Sequence, residues 1–292
     1  MIDLHTHTDA SDGRLPAADL VRHAWMAGIR VLAVTDHDTM GAVPAATAAA
    51  GTFGVRLIPG VEVTAIEDGI DIHVLGYFID PDEPTFAAFL ATQRRARVDR
   101  LREIGVRLAA LGAPVDIDAL LATRNGKEDA IGRPAIAAAL VAAGHARSTA
   151  DAFDRFLASR GAAFVARSGP SVPDVIDSVH TAGGLVAIAH PGVYGRDDRI
   201  PVWAEAGLDG IEVHHSDHDH VAVARYRAIA VELGLAITGG SDYHGDERAE
   251  RARLGRVSLP PEHFAALEQR AAAARAAAAR AQAAATAGDP RA

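Results

Sequence analysis

The sequence predicts an α/β fold with a mainly parallel sheet and a barrel-like rhythm, and three observations carry that prediction. Short apolar runs alternate with alanine-rich stretches bearing helix start and stop signals. Most of these runs end on a histidine or a carboxylate, and in β/α barrels the chemistry collects at the C-terminal ends of the strands. One interval, residues 81–165, lacks the rhythm and reads as an inserted set of helices. The runs number nearer seven than eight, so a distorted barrel fits as well as a regular one.

The first run, Ile2-Asp3-Leu4, leads to His5-Thr6-His7. Side chains at i and i+2 of a strand share one face, so the two imidazoles form a chelating pair. A helix over 16–27 ends at Gly28, and Val31-Leu32-Ala33-Val34 leads to Thr35-Asp36-His37. After a helix over 41–50, Val55-Arg56-Leu57-Ile58 leads through Pro59-Gly60 to Glu62, and residues 70–78 alternate around His73. The insertion holds helices over 85–111, 117–122, 134–143 and 148–159, then a short strand at Ala163-Phe164-Val165.

A helix over 171–182, stopped by Gly183-Gly184, returns the chain to Leu185-Val186-Ala187-Ile188-Ala189 and His190. Gly210-Ile211-Glu212-Val213 then leads to His214-His215, a helix over 218–233 ends at Gly234, and Leu235-Ala236-Ile237 leads to Ser241-Asp242. A last run, 254–259, is expected to close the sheet. Beyond Ala265 the alanines are punctuated by Arg270, Arg275 and Arg280. That spacing offers no apolar stripe, so a final helix fraying into a tail is expected. The layout is a discontinuous barrel over 1–80 and 166–264, an inserted helical cap over 81–165, and an alanine- and arginine-rich end over 265–292.

Composition narrows the function. A chain of 292 residues can bury a large core without staples, and the absence of cysteine leaves nitrogen and oxygen as the only metal donors. With no disulfides, no signal peptide and no run of ~18 apolar residues, the expected location is the cytoplasm, away from membranes. A net charge of −9 argues against bulk coating of nucleic acid, and few aromatics argue against a broad single-strand stacking surface. The sole lysine, Lys127, reflects a coding bias toward arginine.

The chelating pair needs further ligands from elsewhere, and Asp12, His37, Glu62, His73, His190, Asp242 and His244 are available. The arrangement of His5-x-His7, Asp12, Thr35-Asp36-His37-Asp38, Glu62, His73, Ala189-His190-Pro191 and Ser241-Asp242-Tyr243-His244 resembles the PHP family, named for polymerase and histidinol phosphatase. The likeness runs from Met1 to about Leu259 in one motif order. It implies a distorted seven-stranded barrel, (β/α)7, with two to three divalent ions at the strand ends. By the same resemblance His5, His7, Glu62 and Asp242 hold the first, Glu62, His73 and His190 the second, and Asp12, His37 and His244 the third.

A carboxylate bridging two dications ~3.5–4 Å apart makes a shared water acidic near neutral pH, and that hydroxide is the expected nucleophile on a phosphate ester. The ions also neutralise the phosphoryl oxygens. Mixed imidazole and carboxylate donors suit Mn²⁺, Fe²⁺ or Zn²⁺ and do not choose among them; Mn²⁺ is the ion expected. Asp36 and Asp38 are expected to orient imidazoles.

Within the family, the cap and Ile131-Gly132-Arg133-Pro134 resemble the branch of nucleoside 3',5'-bisphosphate phosphatases and of a 5'-to-3' exoribonuclease that trims short RNA. Arg133 would clamp a phosphate with its planar fork, and His218 would meet the leaving group as a general acid. Ala135 stands where branch members often carry histidine. Arg94, Arg95, Arg97 and Arg100 read as a solvated helix face with a lesser claim on further phosphates, and His214 and His220 as solvated. The expected substrate is a nucleotide or a short RNA. Histidinol phosphate is the alternative; an amidohydrolase and a non-catalytic PHP module rank lower. Many binuclear amidohydrolases bridge their metals with a carboxylated lysine at a strand end, whereas Lys127 falls in Asn125-Gly126-Lys127-Glu128 within the cap.

Overall fold

The computed structural model describes residues 1–122, 132–245 and 253–287; Lys127 and Ile131 lie outside them. Seven strands follow one another in sheet order: β1 (Ile2–Asp3), β2 (Val31–Val34), β3 (Arg56–Glu67), β4 (Ile70–Tyr77), β5 (Leu185–Ile188), β6 (Gly210–His215) and β7 (Ala236–Gly240). The sheet closes on itself, because Leu4 N donates to Gly239 O at 3.1 Å and Asp242 N to His5 O at 2.8 Å. The expected run 254–259 therefore does not close it. Its end lies alongside β1 instead, with Leu259 N on Ile2 O and Ile2 N on Ser258 Oγ, after a turn at 254–256 that forms no ladder.

The sheet is parallel except at β4, which runs against both β3 and β5. The cause is local. Glu67 pairs with Ile70 across a two-residue loop, Asp68-Gly69, whose φ angles of 50° and 77° are those a tight hairpin requires. An Asp-Gly pair between apolar runs signals this hairpin, so the reversal was readable at that dipeptide. The hairpin carries Glu62 and His73 inward on adjacent strands, where a parallel crossover would have separated them.

Helices α1 (Ala17–Met26) and α2 (Val43–Phe53) pack together over Leu32 and Val34 of β2. Their small faces, Leu20, Val21 and Ala24 against Ala46 and Ala50, interlock because alanine lets the axes approach. In the insertion lie α3 (Pro84–Ala110), α4 (Ile117–Ala122), α5 (Arg133–Ala142) and α6 (Thr149–Ala152), the last running into a wide turn over Phe153–Leu157. They bury an apolar cluster of their own, including Leu101, Ile104, Leu108, Ile136, Leu140 and Leu157, separate from the barrel core. No strand forms at 163–165: Ala163 packs into that cluster while Arg100 and Arg107 take the carbonyls of Val165 and Phe164 that a neighbouring strand would have bonded.

The barrel resumes with α7 (Val172–Thr181), fixed at its start by a reciprocal Ser171–Asp174 cap, then α8 (Ile200–Glu205) and α9 (His220–Leu233). The last helix, α10 (Pro261–Ala287), docks more firmly than its composition suggests. Phe264, Leu267 and Ala271 recur at i, i+3 and i+7 and are buried in the main core, and Arg270 bonds the carbonyls of Asp209 and Gly234. No described helix is long and apolar enough to cross a membrane.

Candidate metal centre

Strand β1 ends inside the mouth of the barrel, so His5 and His7 both project into it. Their Nε2 atoms lie 3.2 Å apart, and Glu62 Oε2 lies 3.3 Å from the first and 3.2 Å from the second. Asp242 Oδ1 is 3.3 Å and 3.1 Å from the same nitrogens. Metal bonds of ~2.0–2.2 Å place the donors of one ion about 2.9–3.5 Å apart, the interval these separations occupy. Glu62 turns its other oxygen to a second group, with Oε1 at 2.8 Å from His73 Nδ1 and 3.1 Å from His190 Nε2. Asp12 gathers a third: His244 Nε2 at 3.1 Å, His37 Nε2 at 3.6 Å and His7 Nδ1 at 3.7 Å. All nine ligands expected from the sequence converge here.

The charges in this cluster compensate one another against burial. Burial pushes the His7 imidazole down, yet the carboxylates of Asp242 and Glu62 outweigh it and raise it to about 10. Burial likewise pushes the Glu62 carboxyl up, and His37, His73 and His5 outweigh that, holding it well below the usual carboxylate range. Buried carboxylates that draw protons onto histidines draw divalent cations equally well. His37 Nδ1 makes no hydrogen bond among the described residues but lies 3.2 Å from Glu62 Oε2, joining His37 to the bridging carboxylate. The donor set therefore fits divalent ions that accept imidazole and carboxylate.

Close backbone packing fixes these donors. Any side chain at Gly240 would put a Cβ 2.3 Å from His5 N, so glycine alone lets β7 lie against the ligand-bearing end of β1. His190 and Asp242 hold left-handed backbone at φ 27° and 55°, which costs about 1–3 kcal/mol each and persists only where surroundings enforce it. Here His190 N donates to Glu212 Oε2 at 2.7 Å and Asp242 N to His5 O at 2.8 Å.

Glu212 was not singled out from sequence. Fully buried in β6, it accepts from His5 Nδ1 with Oε1 at 3.0 Å and from the His190 backbone with Oε2, so one carboxylate orients two ligands. Its signal was present: a glutamate between Ile211 and Val213 in an apolar run needs a buried partner. Tyr194 acts similarly, its hydroxyl accepting from His73 N at 3.0 Å and bonding His190 Nδ1 at 2.9 Å. Nothing in the sequence marks that tyrosine. The expectation that Asp36 and Asp38 orient imidazoles is corrected. Asp36 accepts from Thr8 and Ser11 and so folds the loop after β1; Asp38 takes Thr64 N and Arg97.

Beside the cluster opens a cavity of about 420 Å³, walled on one side by Asp12, His37, Thr64 and His73 and on the other by Arg97, Arg100, Arg133 and Arg167. Arg133 thus faces the cavity, with Nη1 on Leu157 O at 3.3 Å. Three members of the arginine run also turn inward instead of solvating a helix face: Arg94 bonds Asp38 O, Arg97 its carboxylate, and Arg100 Val165 O. Arg167 went unnoticed in the sequence. His218 is not aimed at the cluster. Its Nδ1 donates to Val213 O at 3.0 Å and its Nε2 accepts from Gly192 N at 3.2 Å, so the ring braces the turn after His190, and burial lowers its proton affinity. His214 is half-buried against His263, not solvated.

The chain matches the model of the PHP domain over residues 3–205. It is 33% identical over 265 residues to the 3',5'-nucleoside bisphosphate phosphatase of Chromobacterium violaceum, covering 89% of this chain and 93% of that protein. It is 33% identical over 250 residues to a 5'-3' exoribonuclease of Haemophilus influenzae, with 83% and 89% covered. Among solved structures, a chain from Bifidobacterium adolescentis described as a metal-dependent phosphoesterase superposes with a TM-score of 0.78 at 33% identity, covering 91% of this chain and 94% of that one.

Proposed function

The chain belongs to the PHP domain family, and from this premise we propose that it hydrolyses nucleoside 3',5'-bisphosphates to 5'-monophosphates, with 5'-to-3' trimming of short RNA as the related activity. At the coarser level it is a metal-dependent phosphoric ester hydrolase. The observation that carries the finer reading is the adjacency of two unlike recognition surfaces, a carboxylate and imidazole cluster and an arginine-lined cavity, in one mouth.

Divalent ions held by the three donor groups, Mn²⁺ in our assignment, supply Lewis acidity for the phosphoryl oxygens and a water acidic near neutral pH. The chain's own residues do the rest. Glu62 ties the first two donor groups through its two oxygens, and Glu212 and Tyr194 keep His5 and His190 aimed. Helices α3 to α6 act as a cap from which Arg133 grips the end of the substrate that does not react, through charge-assisted bonds to phosphate. Leu101, Pro134 and Ala135 give a nucleoside an apolar wall without base-specific donors. Histidinol phosphate suits this cavity less well, because its ammonium group would meet arginines of the same sign.

Phosphate release from metal-stripped and Mn²⁺-reconstituted protein, compared across adenosine 3',5'-bisphosphate, histidinol phosphate and a 5'-phosphorylated short RNA, tests the proposal. The bisphosphate is expected to turn over fastest; turnover of histidinol phosphate alone would overturn the nucleotide assignment.

A further inference from the structure

We propose that His215 is a positioning residue for the metal centre: its Nε2 holds one oxygen of Asp242, so that the other is left to the first donor group. The proposal rests on the metal-dependent reading above and concerns a histidine beyond residues 3–205, the stretch that the family model matches.

Strand geometry supplies the first observation. Residues two apart on a strand share a face, so Glu212, which bonds His5, would put His214 on the same side and His215 on the other. The structure has the reverse. His214 packs against His263, while His215 is buried beside His5 with ring centroids 6.1 Å apart. The cause is a bulge in β6: Glu212 pairs with Thr238 and His214 with the very next residue, Gly239, so Val213 is an extra residue and the alternation flips. Glycine permits this, since a Cβ at position 239 would lie 2.6 Å from His214 Cβ. Glu212 and His215, three apart in sequence, thereby face the same centre.

Hydrogen bonding supplies the second. His215 Nδ1 accepts from Asp217 N at 3.1 Å, so the ring proton sits on Nε2. That N–H is buried and has no hydrogen bond of its own among the described residues; the acceptor it faces is Asp242 Oδ2, at 3.5 Å. Asp242 Oδ1 lies 3.3 Å from His5 Nε2 and 3.1 Å from His7 Nε2. The two oxygens of Asp242 therefore have separate tasks. A carboxylate with its second oxygen held by an N–H is kept from turning both oxygens to one cation, and its orientation is set before any cation arrives.

Ring tautomer and metal affinity test this on the full chain. In Zn²⁺-loaded wild type, with the His215 ring assigned through its own backbone, nitrogen-15 spectra should show the proton on Nε2 and a bare Nδ1. A proton on Nδ1 instead would overturn the proposal without recourse to any variant. In chelator competition for Mn²⁺, His215→Leu should lower metal affinity about 10–100-fold. His215→Gln, whose amide N–H reaches toward the same oxygen, should stay within about threefold of wild type. Added to Asp242→Asn, which lowers affinity by itself, His215→Leu should cost nothing further, because it acts through that carboxylate. Unchanged affinity in His215→Leu, equal losses in the two His215 variants, or additive losses in the double variant would each overturn the proposal. Phosphate release from adenosine 3',5'-bisphosphate by wild type is read separately. The expected affinity pattern without turnover would sink the proposed reaction and leave the role of His215 standing; turnover with unchanged affinity in His215→Leu would do the reverse.

Discussion

The barrel mouth and the inserted helices solve opposite problems. At the mouth, polar side chains far apart in sequence, among them His5, His7, Glu62 and Glu212, are buried, and each is held by specific partners. In the insertion, Leu101, Ile104, Ile136 and Leu140 pack through apolar contact alone, which many sequences satisfy. The difference teaches a division of labour. On the proposed function, reaction chemistry sits where residue identity is over-determined, and substrate choice where a tolerant apolar scaffold presents arginines to the same cavity.

If that division holds, the largest effect belongs to the mouth. His5→Ala or Asp242→Ala is expected to cut phosphate release by about a thousandfold or more, since metal polarisation supplies several kcal/mol of barrier lowering. Circular dichroism should show the fold retained, and full specific activity in the folded fraction would remove these residues from the site. Glu212→Gln comes next. Its amide keeps the shape but places a donor against His5 or His190, and metal affinity measured by chelator competition should fall about 10–100-fold; unchanged affinity would reduce Glu212 to a packing group.

Leu140→Ala probes the other region. Truncating this fully buried side chain is expected to cost about 2–5 kcal/mol and to lower the thermal midpoint, while metal content per folded molecule stays the same. Equal loss of metal would show the two regions to be one unit. The smallest effect is a pH dependence of the metal-free protein. The His7 pKa is raised from 6.5 to about 10, so its stabilising contribution is complete below 6.5 and is lost as pH rises through 10. Thermal midpoints should fall over that window and recover on adding Mn²⁺, whose binding improves as the same nitrogen loses its proton. A midpoint that rises with pH would contradict the charge balance described for the cluster.

Legibility followed the same divide. The nine candidate ligands stood out in the sequence because histidines and carboxylates at apolar strand ends are conspicuous, and the strands and most helices followed from periodicity and glycine stops. Three kinds of feature were marked faintly or not at all. The reversal of β4 depended on the two residues Asp68-Gly69, easily outweighed by a barrel-like rhythm. The partners of Glu212 and Tyr194 are brought in by closure of the sheet, which no local pattern encodes. His218 stood at the right place after a strand, but the orientation that spends its nitrogens on Val213 and Gly192 is set by the following turn.

The most direct test of the central claim, that this buried cluster is a divalent-metal site performing phosphate ester hydrolysis, is a metal-replacement assay on adenosine 3',5'-bisphosphate. Wild type and Asp242→Asn are stripped by chelation, titrated with Mn²⁺ and followed for phosphate release. The account predicts that stripping abolishes release, that Mn²⁺ restores it in wild type, and that the variant stays inactive at the same metal concentration. Undiminished release from stripped protein, or full restoration in the variant, would contradict it.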